Sequence, residues 1–149
     1  MHTLRSILVP IDFSGPAKHA LQWALDLAGR YGAKVILLNV YPVPGYVLPD
    51  GFVTAGPEVL NEIEAKTKRS LEELADSLRL ETDVTIEVET AVGQGSAEIL
   101  RFAEMHKVDM IAMGAHGRTG LALMLLGSTT DRVVRQAKCP VMVVPAQKR

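Results

Sequence analysis

Five short apolar runs alternate with four stretches of helical periodicity, and this alternation restricts the chain to a narrow class of folds. The first run is Ser6, Ile7, Leu8, Val9, Pro10 and Ile11. The second covers residues 34–41, the fourth residues 108–113, and the last is Val141, Met142, Val143 and Val144. The third, residues 83–89, alternates strictly between apolar and polar, which predicts a strand with one wetted face at the edge of a sheet. Between the first two runs, Ala17, Ala20, Leu21, Ala24, Leu25 and Ala28 recur at helical spacing. Ser14 suits the cap of that helix, Pro16 its first turn and Gly32 its end. Further helices are predicted over residues 58–78, from Ser96 with Ile99, Leu100 and Ala103 turned inward, and over residues 128–137.

Strands alternating with helices predict an α/β fold, an open and mostly parallel five-stranded sheet with helices on both faces and right-handed crossovers. A chain of 149 residues suits one such domain, spanning 1–149. Aromatic residues make up only 5%, so Val, Ile, Leu, Met and Ala must fill the core. Residues 42–57 interrupt both periodicities with Pro42, Pro44, Gly45, Pro49, Gly51, Gly56 and Pro57. An irregular loop is expected there, of a length that is usually functional or disordered.

Charge and cysteine content remove several classes of function. The 16 basic and 17 acidic side chains are spread along the chain, without the clustered Lys and Arg that a nucleic-acid surface needs. Cys139 stands alone, so neither an internal disulfide nor a paired-thiol metal site can form. His2, His19, His106 and His116 have no ligand spacing. No apolar window reaches the ~20 residues of a membrane helix, and the amino terminus lacks the features of a signal peptide, so a cytoplasmic protein is expected.

In open parallel sheets, ligands bind beyond the carboxyl ends of the strands, where the strand order reverses. Asp12, Val40 and Gly114 each lie at or just past such an end. From residue 113 to 130 the chain reads MGAHGRTGLALMLLGSTT. Gly114 and Gly117 permit close approach of backbone and ligand. Gly127, Ser128, Thr129 and Thr130 open the last predicted helix, where free N–H groups and the helix dipole favour an anion. Arg118 is the one fixed cation nearby. A plainer reading stands beside this one. The glycines make a turn, Ser128 caps a helix, Asp12 stabilises the turn after the first strand, and His116 is an exposed loop residue. The spacing matches neither the dinucleotide fingerprint nor the Walker A loop. Leu121, Leu123, Leu125 and Leu126 suit packing or a partner contact better than chemistry.

These segments together resemble the universal stress protein family over essentially the whole chain. The likeness runs from Ile7-Leu8-Val9-Pro10-Ile11-Asp12-Phe13-Ser14 through Gly93 and residues 108–114 to Cys139-Pro140-Val141-Met142-Val143-Val144. Its most specific part is Gly114-x2-Gly117-x9-Gly127-Ser128, which is similar to the family's ATP-binding pattern without a gap. The resemblance implies a Rossmann-like sheet of the adenine nucleotide alpha hydrolase-like kind, in the order 3-2-1-4-5, with the nucleotide between strands one and four. It further implies that Asp12 and Val40, with Pro10 or Ile11, meet adenine and ribose, that Met113 and Gly114 continue the wall, and that Gly117, Gly127, Ser128, Thr129 and Thr130 hold phosphates beside Arg118. ATP, with or without Mg2+, is then a regulatory ligand in a stress response. Hydrolysis is at most slow, because no Walker lysine or evident general base is present. The resemblance also implies a homodimer paired through Val141, Met142, Val143 and Val144. The alternative from a different class is a dimeric interaction module of the same fold that holds no nucleotide.

Overall fold

A computed structural model describes residues 1–116 and 125–147. In chain order the elements are β1 (Ser6–Pro10), α1 (Gly15–Tyr31), β2 (Lys34–Tyr41), β3 (Gly45–Leu48), β4 (Gly51–Thr54), α2 (Pro57–Arg79), β5 (Ile86–Val92), α3 (Gly95–Met105), β6 (Met110–Gly114), α4 (Ser128–Gln136) and β7 (Val141–Val144). The main sheet has the order β5-β2-β1-β6-β7, which is 3-2-1-4-5 when its own five strands are counted. Every neighbouring pair in it is parallel. The order reverses between β1 and β6, at the position where an open sheet offers a crevice.

Two apolar layers follow from the period of the central strand. Ile7 and Val9 share one core with Leu21, Ala24 and Ala28 of α1 and with Leu71 and Ala75 of α2. Leu8 lies in the other, with Ile36, Leu38 and Ile111 of neighbouring strands, Ile99 and Ala103 of α3, and Val133 of α4. Helices therefore cover both faces of the sheet, and its central strands are apolar on both sides as burial on both faces requires. α1 ends as its sequence predicts, at Gly32 with φ 68°.

Residues 42–57 correct the expectation of an irregular loop. β3 and β4 form a separate antiparallel hairpin in the register Gly45↔Thr54, Tyr46↔Val53, Val47↔Phe52, Leu48↔Gly51. The prolines do not prevent this, because Pro42, Pro44, Pro49 and Pro57 all fall outside the two strands. Gly51, at φ 136°, takes the backbone conformation that the turn after Pro49 and Asp50 requires. The third strand of the main sheet is the expected edge strand, but it begins at Ile86 rather than residue 83 and runs on to Val92. Before it, the Val84 N–H donates to the Thr82 hydroxyl at 3.2 Å, a local turn that delays the ladder.

Candidate functional site

The carboxyl ends of β1, β2 and β6 and the first turns of three helices enclose a cavity of about 300 Å3 at the reversal of strand order. Pro10, Ile11, Asp12, Val40, Met113, Gly114, Gly127, Ser128, Thr129 and Thr130 all line it. Gly117, Arg118 and the leucines at 121 and 123 lie outside the described residues. The sequence reading missed Ala17, Leu38, Gly95 and Ile99, which complete the wall. They come from the first turn of α1, from β2 and from the side of α3 next to α4, and no local sequence signal reports that these elements meet there. Gly95 could have been suspected from the Gly93-Gln94-Gly95 turn; a Cβ there would stand 3.7 Å from Thr129 Cγ2.

Three helices begin at this cavity, and their first turns are satisfied differently. In α1, the Ser14 hydroxyl accepts from the Ala17 N–H at 3.3 Å. In α3, the Gln94 carboxamide oxygen accepts from the Ala97 N–H at 2.7 Å and from the Ser96 hydroxyl at 2.9 Å. In α4 the cap is Gly127, which has no side chain to accept from the first turn, and no other side chain among the described residues is recorded accepting there. Two bonds hold that open end against the exit of β6. The Gly127 N–H donates to the Ala115 carbonyl at 2.9 Å, and the buried Thr130 hydroxyl donates to the Gly114 carbonyl at 2.9 Å. Thr130 therefore spends its hydroxyl proton inward, on the Gly114 carbonyl, while Ser128 and Thr129 are among the residues that line the cavity. The helix dipole places partial positive charge at this end, worth roughly 0.3–1 kcal/mol toward an anion at an exposed terminus.

Asp12 stabilises the turn after β1, as the plainer sequence reading expects. Its Oδ1 accepts from the Ser14 N–H at 2.9 Å and from the Ser14 hydroxyl, and the side chain also lines the cavity. Phe13 between them has φ 63°, so this turn is held in a conformation that non-glycine residues seldom adopt. The Asn39 carboxamide donates to the Ile11 carbonyl at 2.6 Å, and the Ile11 N–H donates to the Leu38 carbonyl at 2.8 Å, which fixes the exit of β1. Gly114 lines the wall and also has a packing reason to be glycine. A Cβ on it would stand 2.9 Å from the Pro16 carbonyl carbon, so the missing side chain admits α1.

His116 is half-buried rather than exposed. It lines the cavity, and its Nδ1 is shut from solvent with no hydrogen-bond partner among the described residues. A buried polar atom in that state is costly unless something supplies the missing bond. Among the described residues, no group of three His, Cys, Asp or Glu side chains could hold a metal ion, and Asp12 is the one carboxylate in the cavity lining. Cys139 lies at the opposite end of the sheet, just before β7, and burial pushes its thiol pKa up, away from nucleophilic use.

A family model described as the universal stress protein family matches residues 3–145. The chain belongs to this family. A relative, universal stress protein MJ0531 of Methanocaldococcus jannaschii, is 35% identical over 147 residues, which cover 97% of this chain and 84% of that one. Among solved structures, the universal stress protein UspA from Lactobacillus plantarum aligns with a TM-score of 0.80 at 28% identity, covering 97% of this chain and 99% of that one. A universal stress protein solved in complex with cAMP shares the fold at a TM-score of 0.69 and 24% identity, covering 97% and 98%. As a universal stress protein, the chain carries its fold family's crevice with a cavity lined by ten of the residues singled out from sequence. No helix among the described residues is long and apolar enough to cross a membrane.

Proposed function

We propose that this universal stress protein binds an adenine nucleotide, with ATP as the first choice, in the cavity between β1 and β6, and that the nucleotide acts as a regulatory ligand. One observation carries the reading: α4 alone among the three helices at the cavity begins without a side-chain cap, and it does so beside two hydroxyls. The cavity falls at the lower end of the 300–1,000 Å3 typical of small-molecule sites. In this reading Pro10, Ile11, Asp12 and Val40 receive adenine and ribose, and Met113 and Gly114 close the wall. The N–H groups and hydroxyls of Ser128 and Thr129 donate to phosphate oxygens next to Gly127, with the Thr130 N–H behind them. Gly117 and Arg118 complete the phosphate side. His116 Nδ1 finds its missing partner on the ligand. The cAMP complex belongs to another protein, and at 24% identity it supports the shared fold while the ligand is argued from these residues.

Mg2+ fits this donor set only as a companion of the phosphates, since it is commonly held by one or two carboxylates together with substrate oxygens. Among the described lining residues there is no lysine and no carboxylate besides Asp12, so hydrolysis is slow and occupancy is the signal. A ligand of this kind shifts a conformational or partner-binding equilibrium through its differential affinity. We further propose a cytoplasmic homodimer paired through β7, an apolar edge strand whose free edge would otherwise invite uncontrolled association.

Calorimetric titration of the nucleotide-stripped protein with ATP and Mg2+, repeated on Gly127→Val, tests the reading. The expected result is micromolar affinity, about 8 kcal/mol of binding free energy, that disappears in the variant while the fold persists. Absence of heat in the parent protein, together with no thermal stabilisation at saturating ATP, would overturn it.

A further inference from the structure

The amino ends of the strands in the main sheet open into a groove of about 1000 Å3, at the opposite end from the nucleotide cavity. Leu4, Leu27, Val108, Met110 and Pro140 give it an apolar lining. Tyr31, the last residue of α1, also lines it and is 66% exposed. Leu27 and Tyr31 are one helical turn apart, and Trp23, 51% exposed, comes one turn earlier on the same side of α1. An apolar stripe on the helix therefore runs into the groove. Aromatic side chains left in water at such a place are typical anchors of a protein contact.

The charged side chains that line this groove are nearly all of one sign. Arg5, Lys34, Lys107 and Lys138 are basic, and Asp109 is the one carboxylate among the described lining residues. Asp109 is already engaged, its Oδ2 accepting from the Arg5 N–H at 2.8 Å and the Ser6 N–H at 3.0 Å. The four cations come from segments far apart in the chain, so the even spread of charge along the sequence conceals them. Lys34 and Lys138 pair with Glu87 at 3.0 Å and Glu104 at 2.7 Å, neither of which lines the groove. Both pairs are exposed, and exposed pairs contribute little, so they yield readily to another carboxylate. The three lysines also follow the ends of α1, α3 and α4, where a cation offsets the helix dipole. Arg5 precedes β1 and has no such duty. Neither Arg5 nor Lys107 has an acidic partner among the described residues. A concave surface of this charge takes a protruding acidic chain, which a flat bilayer does not offer. A second copy paired through the same surface would set cations against cations, and a nucleic acid needs a longer basic track.

We propose that this groove is a docking site for a protein segment in which apolar side chains are flanked by Asp or Glu. Leu27 and Tyr31 receive the apolar side chains, and Arg5 and Lys107, joined by Lys34 and Lys138, pair with the flanking carboxylates. The site is separate from the nucleotide cavity and stands whether or not ATP binds.

The test uses the full chain and two short fluorescein-labelled peptides, read by fluorescence anisotropy. In one, a pair of Leu residues is flanked by Glu, and in the other by Lys. The Leu/Glu peptide is expected to bind, more weakly as salt rises, and the Leu/Lys peptide to be ignored. Arg5→Glu combined with Lys107→Glu, at two exposed positions, should weaken the Leu/Glu peptide by about tenfold or more and admit the Leu/Lys peptide. Tyr31→Ser, which alters no charge, should weaken the Leu/Glu peptide by about fivefold. Lys66→Glu with Arg69→Glu makes the same charge change at exposed positions of α2 and should shift affinity by less than about twofold. The proposal is overturned if the Leu/Glu peptide does not bind, or if its binding survives the Arg5 and Lys107 reversal or Tyr31→Ser. It is equally overturned if the α2 variant weakens binding as much as the groove variant does. Preference of the parent protein for phosphatidylserine vesicles or a thymidine oligonucleotide over the peptide would also overturn it.

Discussion

α3 and α4 start side by side at the same end of the sheet, yet their first turns are finished in opposite ways. Gln94 closes the start of α3 with its own side chain, accepting from the Ala97 N–H and the Ser96 hydroxyl. Gly127 leaves the start of α4 without a side-chain acceptor among the described residues, while Thr130 and the Gly127 N–H fix that start to the exit of β6. Gly56 also caps α2 without a side chain, but there Pro57 removes a donor and Glu58 offsets the dipole. α4 therefore combines open donors with rigid placement at the crevice. A helix start that lacked only a cap would be a stability defect. One held in place and facing a cavity is suited to an anion.

The largest effect is expected where that contrast is erased. Gly127 has φ −58° and ψ 151°, a backbone conformation open to any residue, so Gly127→Asp should install the missing cap. The carboxylate would occupy the N–H groups of the first turn and repel phosphate. ATP affinity measured by calorimetry should fall by about 100-fold or more, roughly 2.7 kcal/mol. Thermal unfolding should show unchanged or slightly raised stability, by a few tenths of a kcal/mol. Loss of affinity and stability together would mean that the glycine serves the fold alone.

Next in size is Gly114→Ala, which separates two glycines that look alike in sequence. The added Cβ would press on the backbone of Pro16 at 2.9 Å, a contact that no side-chain rotation relieves. Urea unfolding should register a loss of about 2 kcal/mol, the usual scale of overpacking. If stability were kept and only ATP affinity fell, Gly114 would belong to the ligand after all.

These glycines show where the sequence was legible. The five strands and four helices of the main sheet could be read because each is a local pattern of period 2 or 3.6, and the cavity's position follows from strand order. Gly127 and Ser128 declared a helix start by residue type alone. The division of labour around them could not be read. Whether a glycine after a strand admits a ligand or a helix depends on how closely Pro16 approaches, and Thr130 is an inward donor only because the Gly114 carbonyl faces it. Leu38, Gly95 and Ile99 reach the cavity through contacts between elements distant in sequence. The hairpin escaped notice because its strands are four residues each and the surrounding prolines and glycines read as breakers. Its fold depends on which positions those residues occupy, not on how many there are.

Thr130→Val keeps the shape of the side chain and removes the bond to the Gly114 carbonyl, which then lies buried and unpaired. A stability loss of about 1–2 kcal/mol is expected by urea unfolding. ATP affinity should weaken as well, by about threefold to tenfold, since the donors of α4 lose part of what aims them. An equal stability loss with no change in affinity would show that the Gly127 N–H bond suffices to place the helix.

The smallest effect tests the contrast from the other side. Gln94→Ala removes the cap of α3 and gives its first turn the same open state as that of α4. Stability should drop by about 1 kcal/mol, as for other lost caps. Affinity for ATP should stay within about twofold, even though Gly95 lines the cavity, because nothing equivalent to the Thr130 bond aims the start of α3 at the phosphates. If affinity instead rose by tenfold, open N–H groups alone would be enough for an anion at this end of the sheet. The anchoring of α4 by Thr130 would then be a matter of stability, and the Gln94 cap would be what keeps phosphate on one side of the crevice.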